Sequence, residues 1–306
     1  MLEADRFSVA GRAPWLVSAL AAAPYGVKRW MWRTPSAWRA AASACRRLGW
    51  SEDSLGWYAA PNGPWAGIKI RALHRNHLWV PLGGYEPEVS VWALRTLRDP
   101  RWFPPGLDVY DVGANCGLMS MLFARAGAKV LAFEPSPSNQ AHWRANLALN
   151  PELAAGAVLL PFAIGAQDEE VKMTFGEAQS ANQLVVDGVR LWEDAAALPT
   201  VKVRVRPLDA LLDDPPAGLS PRPGFIKIDI EGAEGLALAG AAETLRRFRP
   251  SLLVETHNDD ACAATFDRLR AADYALWRFD GGTLKPIERP WPGGYGHVAA
   301  LPRERA

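Results

Sequence analysis

The chain has 306 residues, 49% of them hydrophobic and 22% charged, with a net charge of +1. That composition supports one large core, alone or with a smaller appendage, and excludes general disorder. Cys45, Cys116 and Cys262 stand far apart without CxxC or Cys/His spacing, so neither a disulfide framework nor a structural zinc site is implied and a cytoplasmic setting is expected.

Residues 1–50 differ from the rest. Eight basic residues stand there against Glu3 and Asp5, interleaved with Trp15, Trp30, Trp32, Trp38 and Trp50. Trp38, Ala41, Ala42, Cys45 and Leu48 recur at helical spacing while Arg39, Arg46 and Arg47 take other faces, which predicts an amphipathic helix closed by Gly49. Such a helix packs on the main domain or a second copy, or lies on an anionic membrane surface. An oligomer and peripheral contact of residues 13–50 with the inner face of the membrane are therefore both expectations to test. No nucleic-acid partner is expected, because the arginines occupy one arm rather than a stripe across a folded domain. The apolar run at 14–27 is too short to span a bilayer and lacks a clean small-residue cleavage site, so export is not expected.

Residues 51–105 are rich in proline and tryptophan, with strand-like pieces at 68–73 and 78–82 and a helix over 86–98, and read as a lead-in that packs on the core. From 106 to 306 strand and helix patterns alternate, which predicts an α/β domain with a doubly wound, mostly parallel sheet. Strands are expected at 107–112, 129–133, 157–164, 225–230, 251–256, 274–279 and 297–301. Helices are expected at 118–126, stopped by Gly127 in a left-handed cap, and at 138–149, 208–212, 233–248 and 261–271. Two extended segments, 171–175 and 201–205, flank a polar insertion that reads as a lid.

The chemistry sits at strand ends. In LDVYDVGANCG, residues 107–117, Asp111 is placed at the strand end and Gly113, Ala114, Asn115 and Gly117 form the turn, where glycines let the backbone approach a ligand. A carboxylate there repels the pyrophosphate of a dinucleotide but suits an ammonium group beside a sulfonium, which favours S-adenosylmethionine over NAD. Glu134 ends the second strand and is placed to accept ribose hydroxyls. Phe162 and Ala163 end the third and offer apolar walls to an adenine ring.

In FIKIDIEGAE, residues 225–234, Lys227, Asp229 and Glu231 share one face of a strand that should be buried, so they are either paired or line a cleft. Glu231 and Glu234 also suit the positive start of the following helix. Glu255 and His257 share a face at the end of the fifth strand, beside Asn258. This group is expected to bind an acceptor or remove a proton, with Asp229 or His257 as the base. Alternatively Asp229 and Glu255 hold a divalent cation that lowers the pKa of a hydroxyl.

DVGANCG, AFEPSPSN, PFAIG, KIDIEGAE and LLVETH, in this order over about residues 107–257, resemble the FkbM-type S-adenosylmethionine-dependent methyltransferases. The resemblance implies a class I methyltransferase (Rossmann-like) fold and S-adenosylmethionine as methyl donor. It also implies O-methylation of a small-molecule or glycan acceptor: a sugar, a glycolipid or a polyketide-type natural product. It assigns Asp111, Gly113, Asn115 and Gly117 to the methionine part of the donor, Glu134 to its ribose, and Asp229, Glu231, Glu255 and His257 to the acceptor. The expected sheet is mostly parallel with an antiparallel final strand. An NAD-dependent oxidoreductase would explain the sheet and Glu134, but the turn is GxNxG rather than GxGxxG and no Tyr is followed four residues later by Lys. A non-catalytic protein that keeps the fold for membrane docking or assembly is disfavoured by the intact Asp111, Glu134 and Asp229.

Overall fold

Apolar residues on both faces of short central strands build a sheet that must be covered on each side, and the chain supplies helices for both. The computed structural model describes residues 7–9, 23–24, 26–27, 30–31, 34, 36–37, 40, 55–59, 62–71, 86–174, 183–186, 189–190, 200–216, 219, 221–280 and 282–306. The amphipathic helix expected over 38–48 lies outside the described residues apart from Ala40, as does the strand expected at 78–82. Among the described residues no helix is long and apolar enough to cross a membrane.

Three short strands, β1 (Phe7–Val9), β2 (Leu55–Ala59) and β3 (Lys69–Arg71), form an antiparallel sheet of their own. Helix α1 (Pro87–Thr96) follows, within the span predicted for it. Then come β4 (Asp108–Val112), α2 (Leu118–Arg125), β5 (Lys129–Phe133), α3 (Pro137–Ala148) and β6 (Ala157–Leu160). Gly127 has φ 89, the left-handed stop expected for α2. Ser136 caps α3, accepting from the Asn139 N–H, with Pro137 at the first helical position.

The third predicted strand is two strands. Pro161 lacks an N–H to donate, and the chain breaks there. Beyond it β7 (Ala163–Ile164) leaves the main sheet and joins β8 (Glu169–Thr174), β9 (Gln183–Val186), β10 (Val189–Arg190) and β11 (Thr200–Arg206) in a second, five-stranded sheet. The insertion read as a lid thus contributes β9 and β10 to that sheet; the rest of it lies outside the described residues.

The main sheet resumes with β12 (Pro223–Ile228), α4 (Glu234–Ala239), α5 (Ala242–Phe248), β13 (Ser251–Thr256), α6 (Asp259–Ala271), β14 (Tyr274–Asp280), β15 (Thr283–Pro286) and β16 (Gly296–Pro302). The helix predicted over 233–248 is divided at Gly240, where a Cβ would overlap the Gly165 carbonyl oxygen that packs against it. Strand order is β15-β14-β16-β13-β12-β4-β5-β6. β16 runs antiparallel to both β13 and β14, as expected of the final strand, and β15 adds an antiparallel edge that the sequence reading missed. This is the class I methyltransferase fold.

Alternation along each strand divides the core into two layers. Val109, Val130, Ala132, Phe225 and Leu253 face one side with Phe123 of α2, and Tyr110, Val112, Ile226, Ile228 and Leu252 face the other with Leu238 and Phe266. Phe225, wholly buried, touches both Phe123 and Trp92 with ring centroids 5.9 and 6.3 Å apart. Phe225→Ala is expected to cost about 3–4 kcal/mol through the cavity it leaves. Val158→Ala, on the exposed edge strand, should cost under about 1 kcal/mol. Urea denaturation of both variants checks the contrast.

Candidate functional site

The chain runs outward from β4 through β5 to β6, then returns to β12 on the other side of β4. That reversal opens a crevice beyond the carboxyl ends of β4 and β12, the place where doubly wound sheets bind ligands. A cleft of about 640 Å³ lies there. Its β4 side is formed by Val112, Gly113 and Asn115, its β5 side by Phe133, Glu134 and Asn139. Ala163, Ile164 and Met173 close it from the second sheet, and Asp229, Ile230 and Glu231 line its far end.

The turn after β4 has a different rationale from the one read in the sequence. Gly113, at φ 81, has no room for a Cβ because the Asp229 carbonyl oxygen lies against it, and a Cβ on Gly117, at φ 89, would meet the Trp143 ring at 2.6 Å. Both glycines answer packing of the protein on itself, and Gly117 and Ala114 are not among the cleft-lining residues. Asn115 does line it, in the left-handed region at φ 50, with its Oδ1 enclosed and without a hydrogen-bond partner.

Glu134 is the anchor of the β5 side. Its Oε2 accepts the Asn115 N–H and its Oε1 the Ser136 N–H, both at 2.8 Å. Burial outweighs these hydrogen bonds and pushes its pKa up to about 7. Two fixed N–H donors aim the carboxylate and leave lone pairs for ligand hydroxyls. Ala163 lines the cleft, but Phe162 does not: it packs on Phe133, ring centroids 5.8 Å apart, under the Arg206 guanidinium.

Asp111, expected to answer the ligand's ammonium group, is wholly buried within β4 and does not line the cleft. Its Oδ2 accepts from the Ser120 hydroxyl at 2.6 Å, and its Oδ1 lies 4.0 Å from Lys227 Nζ. Burial raises its pKa, with Lys227 and Ser120 working the other way. Lys227, only 3% exposed, donates to Asp229 Oδ2 at 2.9 Å. Desolvation alone would lower the lysine's pKa, yet the charges of Asp229 and Asp111 outweigh it and raise it. Of the ionisable groups of FIKIDIEGAE, Lys227 and Asp229 are therefore paired, and Asp229 and Glu231 line the cleft. Asp229 and Glu231 lie beyond the strand, in a turn where Glu231 has φ 56.

His257 gathers the far end. Its Nδ1–H donates to Glu234 Oε1 at 2.9 Å, and its Nε2 lies 3.6 Å from both Asp229 Oδ1 and Glu231 Oε2. Burial disfavours the charged ring, but Glu234 first, then Asp229 and Glu231, overcome it and lift the pKa to about 9. Glu231 moves up to about 7 because burial dominates the attraction of His257. Glu255 is buried at the β13 end; burial works against its charge, but His297, 3.4 Å away, holds its pKa down to about 2. Asn258, grouped with these in the sequence, instead caps α6 by accepting the Ala261 N–H at 2.8 Å.

Sequence reasoning missed Glu86, Tyr295 and His297, which join Glu255 from distant parts of the chain. The pairing of Glu255 with His297 across β13 and β16 needed the strand order, which the sequence does not print. Positive φ at Glu86, Asn115 and Glu231 marks backbone held in place by its surroundings at about 1–3 kcal/mol each.

Comparison with known proteins gives the family. A model described as the Methyltransferase FkbM domain matches residues 111–276. AMB antimetabolite synthetase AmbE of Pseudomonas aeruginosa is 28% identical over a region covering 56% of this chain and 9% of its own length. Methyltransferase sdnD of Sordaria araneosa is 29% identical, covering 48% of this chain and 65% of its own. Among solved structures, methyltransferase FkbM from Methylobacillus flagellatus aligns at TM-score 0.40 and 19% identity, covering 66% of this chain and 47% of that one. The chain thus spans less than two thirds of the length of each.

Lys227→Met leaves the carboxylates of Asp111, inside the sheet, and Asp229, just beyond it, without their lysine, and is expected to lower stability by about 3 kcal/mol at pH 7.5. A carboxyl whose folded pKa is raised costs stability above that pKa, and the cost fades below the unfolded value. The deficit should therefore shrink as pH falls toward 4, which urea denaturation at both pH values tests.

Proposed function

The chain belongs to the FkbM methyltransferase family, and on that premise we propose that it transfers the methyl group of S-adenosylmethionine to a hydroxyl of a sugar, glycolipid or polyketide-type natural product. The observation that carries this reading is the cleft at the β4–β12 crevice, closed at one end by the Glu134 carboxylate and at the other by Asp229 and Glu231.

The residues fit the donor. Glu134, oriented by two backbone N–H groups, has lone pairs free for the two ribose hydroxyls. Phe133, Ala163, Ile164 and Met173 offer apolar surface for the base, and the enclosed Asn115 Oδ1 lacks a hydrogen-bond donor. Asp111 acts from behind the wall. By sharing Lys227 with Asp229 it fixes the acid that does reach the cleft, beside Glu231, whose carboxyl group faces the same end.

When bound, S-adenosylmethionine supplies an electrophilic methyl group, whose C–S bond breaks as the O–C bond forms, the electron pair staying on sulfur. The protein aligns the hydroxyl and takes its proton. Glu231 is assigned the proton, because it lines the cleft and its pKa of about 7 matches neutral working conditions. His257, cationic below about 9, holds Glu231 and Asp229 in place through Nε2 while Glu234 holds its Nδ1. The metal alternative would use Asp229 and Glu255, whose oxygens lie with a His257 nitrogen within 4.8 Å of one another. The side-chain route is favoured because Lys227 and a cationic His257 already answer Asp229.

Calorimetry tests the donor. S-adenosylhomocysteine should bind and NADH should not, and Glu134→Gln should weaken S-adenosylhomocysteine about 10–100-fold. Binding of NADH alone would return the oxidoreductase reading. For the reaction, screened with labelled donor over glycans and glycolipids, kcat/KM should rise through about pH 7 as Glu231 ionises and fall through about pH 9 as His257 loses its proton. Glu231→Gln should remove the acidic limb with at least about a 100-fold loss. EDTA should leave activity intact; loss restored by magnesium would reject the side-chain route.

A further inference from the structure

A second hollow lies beside the donor cleft, between the start of α1 and the ends of β13 and β16, walled by Glu86, Glu88, Glu255, Tyr295 and His297. Glu255 joins the two. Its carboxylate lies within 4.8 Å of ligand atoms of Asp229 and His257 on one side, and of Glu86 and His297 on the other. Asp229, which lines the donor cleft, therefore stands at the border of both spaces.

Among the described residues the walls bring the Glu86 and Glu255 carboxyl groups to one imidazole, that of His297, whose Nε2 lies 3.4 Å from Glu255 and 3.8 Å from Glu86, with Pro87 and Val89 beside them. Glu86 Oε2 is enclosed and has no hydrogen-bond partner, so this carboxyl lacks a donor on the side facing its neighbours. Burial, and then the neighbouring Glu255, push the Glu86 pKa up to about 7, so a cation that also donates hydrogen bonds is favoured beside these two carboxyl groups and phosphate or carboxylate groups are not. The Tyr295 ring, 63% exposed and 5.9 Å from the His257 ring, presents an open aromatic face at the rim.

We propose that this hollow is the acceptor subsite, and that it takes an acceptor with an ammonium group close to the hydroxyl to be methylated: an amino sugar or a related amino alcohol. The inference rests on the methyl transfer proposed above, which brings the reacting oxygen to Asp229 and Glu231. Glu86 receives the ammonium group, and Tyr295 covers one face of the sugar.

The test uses the full chain saturated with S-adenosylhomocysteine, whose binding is measured in the same preparation by calorimetry. Saturation-transfer NMR at pH 7.5 then compares glucosamine, glucose and glucuronate. Glucosamine is expected to bind at least about fivefold tighter than glucose, with no glucuronate signal. Glu86→Gln should abolish the preference for the amine. Tyr295→Ala, at an exposed position where folding is not at issue, should weaken both neutral and amino sugar about tenfold. Equal binding of glucosamine and glucose, any binding of glucuronate, or no effect of either variant would overturn the proposal. So would Mn²⁺ held by this cluster and lost in Glu86→Gln, seen by water-proton relaxation, which would give the site to a metal. Failure of S-adenosylhomocysteine to bind would instead fell the donor reading itself.

Discussion

Lys227 stands inside the sheet where β4 and β12 run side by side, with Asp111 on one flank and Asp229 on the other. An ammonium group taken from water into that position is stable only because two carboxylates answer it, and they in turn tolerate burial only because it is there. The pairing ties the strand that leads into the glycine turn to the one that carries the acidic turn opposite. Asp229 then holds His257, and His257 meets Glu231 and Glu234. One buried cation thus sets the position of the carboxylates that face the cleft.

Much of this was legible in the sequence because it is local. The strand, glycine turn, helix and acid of residues 107–134 follow one another along the chain, and Lys227, Asp229 and Glu231 stand close together in it, although the strand ends at Ile228 and the two acids follow in a turn. Less legible was the direction in which a side chain is satisfied. Asp111 has the spacing of a ligand-binding acid, yet within a parallel sheet its alternation sends it into the Val109 layer, where Ser120 and Lys227 take it. Gly113 and Gly117 look like glycines that admit a ligand, and the close approach they allow is to Asp229 and Trp143. Pro161 could have been read as the end of a strand, since a residue without an N–H cannot continue a ladder. The meeting of Glu86, Glu255 and His297 could not, because His297 reaches Glu255 through the insertion of β16 beside β13 and Glu86 arrives from the start of α1.

The two hollows at the carboxyl end of the sheet differ in kind. The donor cleft is apolar along its flanks and acidic at its ends, suited to a nucleoside with a cationic tail. The second sets carboxyl groups around one imidazole, beside Pro87 and Val89, with one aromatic at its mouth. Glu255, pinned in its ionised form by His297, is common to both electrostatic fields and keeps negative charge next to Asp229 over the whole physiological range.

The most direct test of this account is a crystal structure of the protein grown with S-adenosylhomocysteine. It should show the ribose hydroxyls on the Glu134 carboxylate and the amino-acid end of the ligand toward Asp229 and Glu231, with the Lys227 pairings intact. A cleft left empty in crystals saturated with the ligand, or the ribose bound away from Glu134, would contradict it.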